Sequence, residues 1–305
     1  MDGIINVLKP PGMTSHDVVQ FIRKLIGKRK VGHTGTLDPG AAGVLTICCG
    51  KATKIIQFMD HTKEYRAEVS FGTATSTLDS FGQVIKEQDC SSLTLDEVRE
   101  GLQKFKGEIE QIPPMTSAIK HKGKKLYELA RAGLEVERKK RRVNIFFARI
   151  VNAFDIGTPN PKVIMDIGCS AGTYVRTLCS DLGENLGCCA HMSFLLRVRA
   201  GSFGILDTFT LEELEEKKHH GELGEVLVSL DQALSNLPTV RVEDELVDAV
   251  KNGNRIFFET GTEMQLQGNQ LVCMQGPQGV IAIGKTLDKN TQVDTINIQP
   301  VKVLV

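Results

Sequence analysis

Strand-like and helix-like segments follow one another in irregular order, and this succession constrains the fold more than any other feature of the sequence. Residues 65–71, YRAEVSF, alternate apolar and polar side chains, as a half-buried strand does. Residues 162–187 predict an apolar strand, a turn of small residues and then a helix. Because no regular strand–helix–strand repeat emerges, an α+β fold is favoured over a doubly wound one.

Two further helices follow from the periodicity. Residues 17–26 carry apolar side chains on one helical face, with Ser15 or Asp17 available as the N-cap. Residues 92–107 indicate a second capped amphipathic helix. We therefore expect both to pack one face against the core.

The sequence pattern changes near residue 235, from helix-like segments to short β-like runs. Residues 211–227 are strongly acidic and predict a polar surface helix. From about Pro238 onward, short β-like runs are broken by glycines. We therefore expect two domains, 1–235 and 236–305, the second small and β-rich.

The composition favours a soluble cytoplasmic protein. Hydrophobic residues make up 41% of the 305 residues and charged residues 24%. No apolar run approaches the ~18 residues that a membrane span needs, and the first residues lack the layout of a signal peptide. Eight cysteines without paired C-x-x-C motifs predict reduced and mostly buried thiols rather than a zinc site.

Positive charge is concentrated locally, although the formal net charge is zero. Residues 120–142 contain ten Lys or Arg against three Glu, and residues 23–30 contain five Lys or Arg and no acid. Two interpretations stay open at this point. Each segment is either a solvated face or a surface that follows the phosphates of a nucleic acid.

A single carboxylate lies in a glycine-rich stretch, GHTGTLDPGAAGVLTICCG, at residues 32–50. Asp38 precedes Pro39, which disfavours helical backbone, and the surrounding glycines permit tight turns and close approach of a ligand. Asp38 is therefore a candidate for a presented catalytic group, and an Asx-turn or helix cap is the simpler alternative.

Three partial motifs compete with Asp38 as the functional site. LTICCGKAT fails as a phosphate loop at Leu45 and Ala52. DIGCSAG, residues 166–172, is similar to the cofactor loop of adenosylmethionine-dependent methyltransferases, with Ser170 in place of the middle glycine. His33 has no Cys or His at ligand spacing, which makes it a poor metal ligand.

Several motifs that are weak signals singly identify one protein family when they occur together in this order. GHTGTLDPGAAGVL, KEYRAEVSFG, QIPPMTSAIKHKGKKLYELARAG and CSAGTYVRTLCSDLG, behind VLKPPGMTS, closely resemble the TruB family of tRNA pseudouridine synthases over roughly residues 1–210. The tail resembles a PUA RNA-binding domain. The resemblance implies a mixed-sheet α+β catalytic domain, a β-barrel-like PUA module, and isomerisation of the uridine at position 55 in the tRNA T-loop.

The resemblance also assigns roles. Asp38 matches the catalytic aspartate, Arg176 the arginine that pairs with it, and Tyr65 the tyrosine that stacks on the base and acts as general base. Residues that match substrate-binding positions are Lys9, His33, Tyr174 and Leu195. An arginine within ~4–6 Å would keep Asp38 ionised and oriented.

The same resemblance leaves some matters open. It implies a monomer that binds the T-arm of tRNA and needs neither metal nor other cofactor, because the reaction is an isomerisation. The alternatives are an adenosylmethionine-dependent RNA methyltransferase, or a non-catalytic tRNA-binding or tRNA-folding protein. Whether Asp38 attacks C1′ or removes a proton from C2′ stays open, as do RNA targets beyond tRNA. Positions that depart from the usual family pattern are Gly40, Ala42, Ser76, Thr116 and Leu196.

Overall fold

The computed structural model describes residues 2–259, 266–290 and 295–304, and these residues form two large β-sheets and two small two-stranded ones. The strands are β1 (Gly3–Lys9), β2 (Val31–His33), β3 (Ala42–Cys49), β4 (Lys63–Phe71), β5 (Thr73–Thr75), β6 (Val84–Glu87), β7 (Gly107–Gln111), β8 (Lys120–His121), β9 (Lys124–Lys125), β10 (Arg141–Phe154), β11 (Lys162–Cys169), β12 (Ala190–Ala200), β13 (Phe203–Gly204), β14 (Thr239–Arg241), β15 (Ile256–Glu259), β16 (Leu271–Gly276), β17 (Gly279–Asn290) and β18 (Thr295–Val303). The helices are α1 (Ser15–Ile26), α2 (Leu95–Gln103), α3 (Leu126–Arg131), α4 (Val175–Asn185), α5 (Leu211–His219), α6 (Leu230–Ala233) and α7 (Asp244–Lys251).

The larger sheet is mixed, as expected. Its strands run in the order β1-β3-β12-β4-β11-β10-β7, with β2 added to β3 and β13 added to β12. The β3–β12 pair is parallel, and the other pairs of described strands in this sheet are antiparallel. The strand expected over 65–71 begins slightly earlier, at Lys63, and its side chains at 65, 67, 69 and 71 are buried.

The first helix begins at Ser15, and its N-cap is not one of the two residues expected. Thr14, rather than Ser15 or Asp17, is the N-cap: its hydroxyl accepts from the Asp17 N–H, and the Asp17 carboxylate accepts from the Thr14 N–H. Ser15 is buried instead, where its hydroxyl donates to the Leu37 carbonyl and accepts from the Leu37 N–H. This contact ties α1 to the glycine-rich loop.

Two other helices are shorter than the patterns predicted. The helix expected over 92–107 runs from Leu95 to Gln103 and is capped by Thr94. The acidic stretch 211–227 is helical only to His219, because Gly221 takes a left-handed backbone (φ 78°). This helix buries Leu211 and Leu214, so it is more than a polar surface helix.

The second sheet contains the β-rich tail that the sequence predicted. Its order is β14-β16-β17-β18-β15, and Val240, Val272 and Ile296 lie in its own apolar core. A further cluster joins this sheet to the first, since Cys273 and Leu304 share a core with Ile4, Val44 and their neighbours.

The cysteines are all free thiols. Seven are buried and Cys188 is partly buried, which confirms the expectation for them. Within the described residues, no helix is both long enough and apolar enough to cross a membrane.

A candidate active site at the Asp38 loop

Asp38 lies in the loop between β2 and β3, and this loop is fixed from two sides. Ser15 holds the neighbouring Leu37 through two hydrogen bonds. At the other end Gly43, with φ 115°, packs against the backbone of Arg197, where an added Cβ would lie 2.2 Å from the Arg197 carbonyl oxygen. A side chain at position 43 would therefore push β3 away from β12 and displace the loop.

Arg176 pairs with Asp38, as the resemblance implied. Its Nε lies 3.0 Å from Oδ2 of Asp38, and its Nη2 donates to Oδ1 at 3.3 Å. The Arg176 side chain is only 5% exposed, whereas that of Asp38 is 36% exposed. Arg176 is therefore a buried, rigid donor, and the carboxylate keeps an open side toward a ligand.

A second carboxylate holds the same guanidinium. Nη1 of Arg176 lies 3.3 Å from Oδ2 of the buried Asp79, and it also donates to the Thr77 carbonyl and to the Thr116 hydroxyl. With donors committed on both sides, Arg176 has little freedom to rotate. Asp79 was not predicted from the sequence, because the segment TSTLDSFG, residues 75–82, carries no pattern that distinguishes a site residue from a turn residue.

Opposing effects act on the Asp38 carboxyl. Burial raises the pKa of Asp38, the charge of Arg176 lowers it, and the negative charge of Asp79 raises it. Burial is the largest of these effects, so the pKa lies above its ordinary value. The arrangement thus presents an oriented carboxyl group in a poorly solvated setting, which suits proton transfer or attack on a sugar carbon.

Tyr65 lies on β4, directly opposite Arg197 on β12. It is 8% exposed and packs in one apolar cluster with Leu37, Ala41 and Leu195. Burial raises the pKa of the Tyr65 hydroxyl, and the neighbouring charge of Arg197 opposes that effect. The structure thus places Tyr65 beside the Asp38 loop with little of its ring open.

Arg197 is a site residue that the sequence analysis missed. It is 1% exposed and donates to three backbone carbonyls: Val44 at 2.6 Å, Thr36 at 3.2 Å and Gly35 at 3.2 Å. These acceptors lie on both sides of Asp38 in the chain, so one guanidinium fixes both ends of the loop. The only signal in the sequence was the position of Arg197 between Leu196 and Val198 in the segment FLLRVRA, which also contains Arg199.

Lys9 supports the same loop from β1. It is fully buried, and its Nζ donates to the carbonyls of Pro10, Pro39 and Ala41. Burial, together with the nearby charge of Arg197, lowers the pKa of Lys9 to about 8. Its contacts are with the backbone around Asp38.

The remaining predicted site residues lie at the margins of this cluster. Tyr174 precedes α4, and the Gln111 side chain holds its backbone N–H and carbonyl. His33 ends β2, where burial lowers the pKa of its ring and leaves Nδ1 without a hydrogen-bond partner among the described residues. In the described part of the chain, no hydrogen bond joins His33 or Tyr174 to Asp38.

The methyltransferase-like motif forms no cofactor loop. Asp166 lies within antiparallel β11, where its carboxylate binds Arg66 at 2.8 and 3.0 Å and Arg149 at 3.3 Å. These partners lower the pKa of Asp166. The acid that a methyltransferase would present to its cofactor is thus committed to ion pairs across the sheet.

Two of the positions that depart from the family pattern have a structural role here. Gly40 lies under the Phe81 ring, where an added Cβ would come within 2.0 Å of a ring carbon. The Thr116 hydroxyl accepts a hydrogen bond from Arg176. The Phe81 ring therefore occupies the space that a side chain at position 40 would take, and Thr116 helps to hold Arg176.

The chain is similar over its whole length to proteins named tRNA pseudouridine synthase B. The TruB family pseudouridylate synthase N-terminal domain matches residues 23–175, and the tRNA pseudouridylate synthase B C-terminal domain matches residues 176–235. The tRNA pseudouridine synthase B of Pelotomaculum thermopropionicum is 48% identical, with 100% of this chain and 97% of that protein covered. That of Alkaliphilus oremlandii is 50% identical, with 84% and 83% covered.

Solved structures give the same result. A Cbf5–Nop10–Gar1 complex contains a chain with TM-score 0.74 and 28% identity, covering 99% of this chain and 85% of that one. An H/ACA ribonucleoprotein bound to a substrate RNA containing 2′-deoxyuridine gives TM-score 0.73 and 27% identity, with 99% and 85% covered. The fold, the family models and the relatives agree: this chain belongs to the TruB family of pseudouridine synthases.

Proposed function

We propose that this chain isomerises uridine to pseudouridine in tRNA, at position 55 of the T-loop. The observation that carries the proposal is the Asp38–Arg176 pair, an oriented carboxyl group with one open side in a buried setting. The family membership and the curated relatives named tRNA pseudouridine synthase B support the same reaction. The T-loop position rests on the sequence resemblance.

The reaction moves the uracil from an N1 linkage to a C5 linkage on the same sugar. The target nucleotide leaves the stack, because a stacked base cannot reach a carboxylate in a protein cleft. Asp38 then either attacks C1′ or removes a proton from C2′, and the N1–C1′ bond breaks with its electron pair on the base. The base turns and C5 bonds to C1′. In the first route this bond displaces the Asp38 carboxylate from C1′, and in the second Asp38 returns its proton to C2′. The C5 proton is then lost and N1 takes up a proton, which restores the uracil ring. No atom is added or removed overall, so the balanced reaction requires no co-reactant.

Tyr65 is proposed as the platform for the flipped base and as the acceptor of the C5 proton. Its position beside Leu195 and the Asp38 loop supports the first role. Burial opposes the second, since it raises the pKa of a hydroxyl that already ionises near pH 10. The charge of Arg197 lowers the pKa of Tyr65, which favours the phenolate and so supports the role as proton acceptor.

The other site residues have proposed roles in binding. Tyr174 and Leu195 would line the uracil pocket, His33 would take part in extruding the nucleotide, and Lys9 would hold the Asp38 loop from behind. Lys9 has the most direct structural support, through its three bonds to loop and flanking carbonyls.

The organisation of the chain is also part of the proposal. Residues 1–235 would form the catalytic domain and residues 236–305 a PUA-like RNA-binding domain, which the separate five-stranded sheet supports. The proposal also includes that the protein acts on tRNA as a monomer in the cytoplasm.

The decisive experiment is incubation with an unmodified tRNA transcript, without added cofactor, followed by mapping of pseudouridine. We expect one modified position, uridine-55, and none in a transcript with cytidine there. Formation of a methylated product that depends on adenosylmethionine would support the methyltransferase alternative. Tight tRNA binding with no modified nucleotide would support the non-catalytic one.

A further inference from the structure

A basic groove lies away from the proposed active site and brings together two segments that are separate in sequence. It has a volume of about 630 Å³, and its charged lining residues are Asp2, Lys28, Arg29, Lys30, Lys51 and Lys54. Lys28 to Lys30 follow α1, whereas Lys51 and Lys54 belong to a short 3₁₀ turn after β3. The sequence predicted only the first of these segments as a basic surface.

Backbone pairing fixes the two segments side by side. Val31 is paired with Cys49 across β2 and β3, and the Gly50 N–H donates to the Lys30 carbonyl at 2.8 Å. The Asp2 carboxylate then accepts from the Lys51 N–H at 3.2 Å. The groove is therefore part of the folded sheet edge and not a chance arrangement of long side chains.

Most of the positive charge in the groove is uncompensated. Asp2 pairs with Lys28 at 3.1 Å. For Arg29, Lys30, Lys51 and Lys54, the described residues provide no ion pair within 4 Å. Five cations against one acid on a concave surface create a positive potential that attracts a polyanion.

The run at 139–142 provides a contrast. There, Lys140 pairs with Glu110 at 3.4 Å and Arg142 pairs with Glu108 at 3.4 Å. Half of that run is thus already neutralised by β7. Among the described residues, the groove therefore has four cations without an ion pair, whereas this run has two, Lys139 and Arg141.

The length of β3 indicates how long a ligand must be to reach both the Asp38 site and the basic groove. Strand β3 leads from Ala42, next to the Asp38 loop, to Cys49 at the groove. Its seven residue steps at ~3.3 Å span about 23 Å. A nucleotide or a short loop cannot bridge that distance, whereas the phosphate backbone of an RNA helix can.

We propose that this groove is a second phosphate-binding surface, which holds a helical stem of the same tRNA whose uridine enters the Asp38 site. The inference rests on the proposed function and adds to it the region of the substrate that is recognised at a distance. Arg29, Lys30 and Lys51 contact phosphates there without reading sequence. Their contribution is to affinity and to its dependence on salt.

The test compares two RNAs and two triple variants. The groove variant replaces Arg29, Lys30 and Lys51 with Gln, and the control variant replaces three exposed lysines elsewhere, Lys104, Lys106 and Lys218, with Gln. The RNAs are a full-length unmodified tRNA transcript and a T-arm hairpin whose stem is too short to span about 23 Å. Binding is measured over a range of salt, together with single-turnover pseudouridine formation and the melting temperature.

For the groove variant we expect roughly tenfold weaker binding of full-length tRNA and a log–log salt slope lower by about 2 to 3. Binding and turnover of the hairpin should match those of the parent, and the control variant should match the parent on both RNAs. An unchanged affinity and slope on full-length tRNA would overturn the inference, while hairpin turnover by the parent would leave the proposed function standing. Binding of the parent and of both variants to phosphatidylglycerol vesicles is measured in parallel. Loss of vesicle binding by the groove variant with tRNA binding intact would likewise overturn the inference, in favour of a lipid surface. Absence of pseudouridine with the parent enzyme would instead overturn the proposed function.

Discussion

Arg176 and Asp38 form a two-point ion pair in which only the acid retains an exposed face. The arginine is shared with a second acid, Asp79, so its orientation does not depend on Asp38 alone. Removing the charge of Asp38 therefore leaves a partner for Arg176. This separates the chemical role of Asp38 from any structural one.

The first prediction is that Asp38→Asn abolishes pseudouridine formation while tRNA binding stays within about tenfold, or roughly 1.4 kcal/mol. The amide keeps the shape of the side chain and removes the oxygen charge that the chemistry needs. Single-turnover assays and a binding isotherm on the same preparation test it. Retention of even a few per cent of the parent's turnover would contradict a catalytic role for Asp38.

The second prediction concerns pH and Asp79. The charge of Asp79 raises the pKa of Asp38, so Asp79→Asn should lower that pKa. Either proposed role of Asp38 needs the ionised form, and the acid limb of the single-turnover rate should therefore move to lower pH. The amide introduced at position 79 still offers an oxygen to Arg176, which keeps the geometry. A limb that stays in place, or moves to higher pH, would mean that Asp79 does not act on Asp38 through its charge.

The third prediction concerns the basic run at 139–142. Replacing all four residues with Gln should weaken tRNA binding and flatten its salt dependence, by somewhat less than one unit of slope for each phosphate that is no longer bound. Because Lys140 and Arg142 already pair with Glu110 and Glu108, we expect the slope to fall as if two phosphates were released rather than four. An unchanged slope would show that this run is a solvated face.

The structure explains which parts of this site a sequence can predict. The alternation on β4 and the strand–turn–helix at 162–187 depend on local patterns, and both were predicted correctly. The Asp38–Arg176 pair was predicted only through the family resemblance, because the two residues come from distant segments. The predicted N-cap of α1 was wrong. Ser15 is a residue type that often caps helices, but here its hydroxyl is buried and bonded to Leu37.

Arg197, Asp79 and Lys63 could not be found from local patterns. Each is a charged side chain whose burial is set by contacts between segments that are distant in the sequence. Arg197 sits where β3, β4 and β12 adjoin, and that junction depends on the one parallel pair in the described part of the first sheet. Lys63, the first residue of β4, is likewise a buried lysine: its Nζ donates to the His61 and Thr62 carbonyls, and burial lowers its pKa to about 8.

The fourth prediction concerns Arg197, which holds three backbone carbonyls around the Asp38 loop. Arg197→Met should lower the free energy of unfolding by about 3 kcal/mol, because it leaves buried carbonyls without donors. It should also reduce turnover, since the loop loses its anchor. The matched control on the same strand is Arg199→Met, which breaks an exposed pair with Glu64 and should cost less than about 1 kcal/mol. Urea denaturation and single-turnover rates of both variants measure the effects, and equal losses in the two would contradict the assignment.

The last prediction separates binding from chemistry at Tyr65. Phe keeps a ring that can stack on a flipped uracil, a contact worth ~1–3 kcal/mol, but it lacks the hydroxyl needed for proton transfer. Leu removes both features and remains acceptable on the apolar face of β4. If Tyr65 is both platform and base, Tyr65→Phe should bind tRNA nearly normally and turn over very slowly, and Tyr65→Leu should lose turnover and some affinity. Tyr65 is only 8% exposed, and a purely structural role predicts the opposite result. In that case Tyr65→Phe would leave the activity almost unchanged, and Tyr65→Leu would act chiefly by lowering the melting temperature. Single-turnover rates and melting curves on the two variants distinguish these outcomes, and a fully active Tyr65→Phe enzyme would overturn the general-base role.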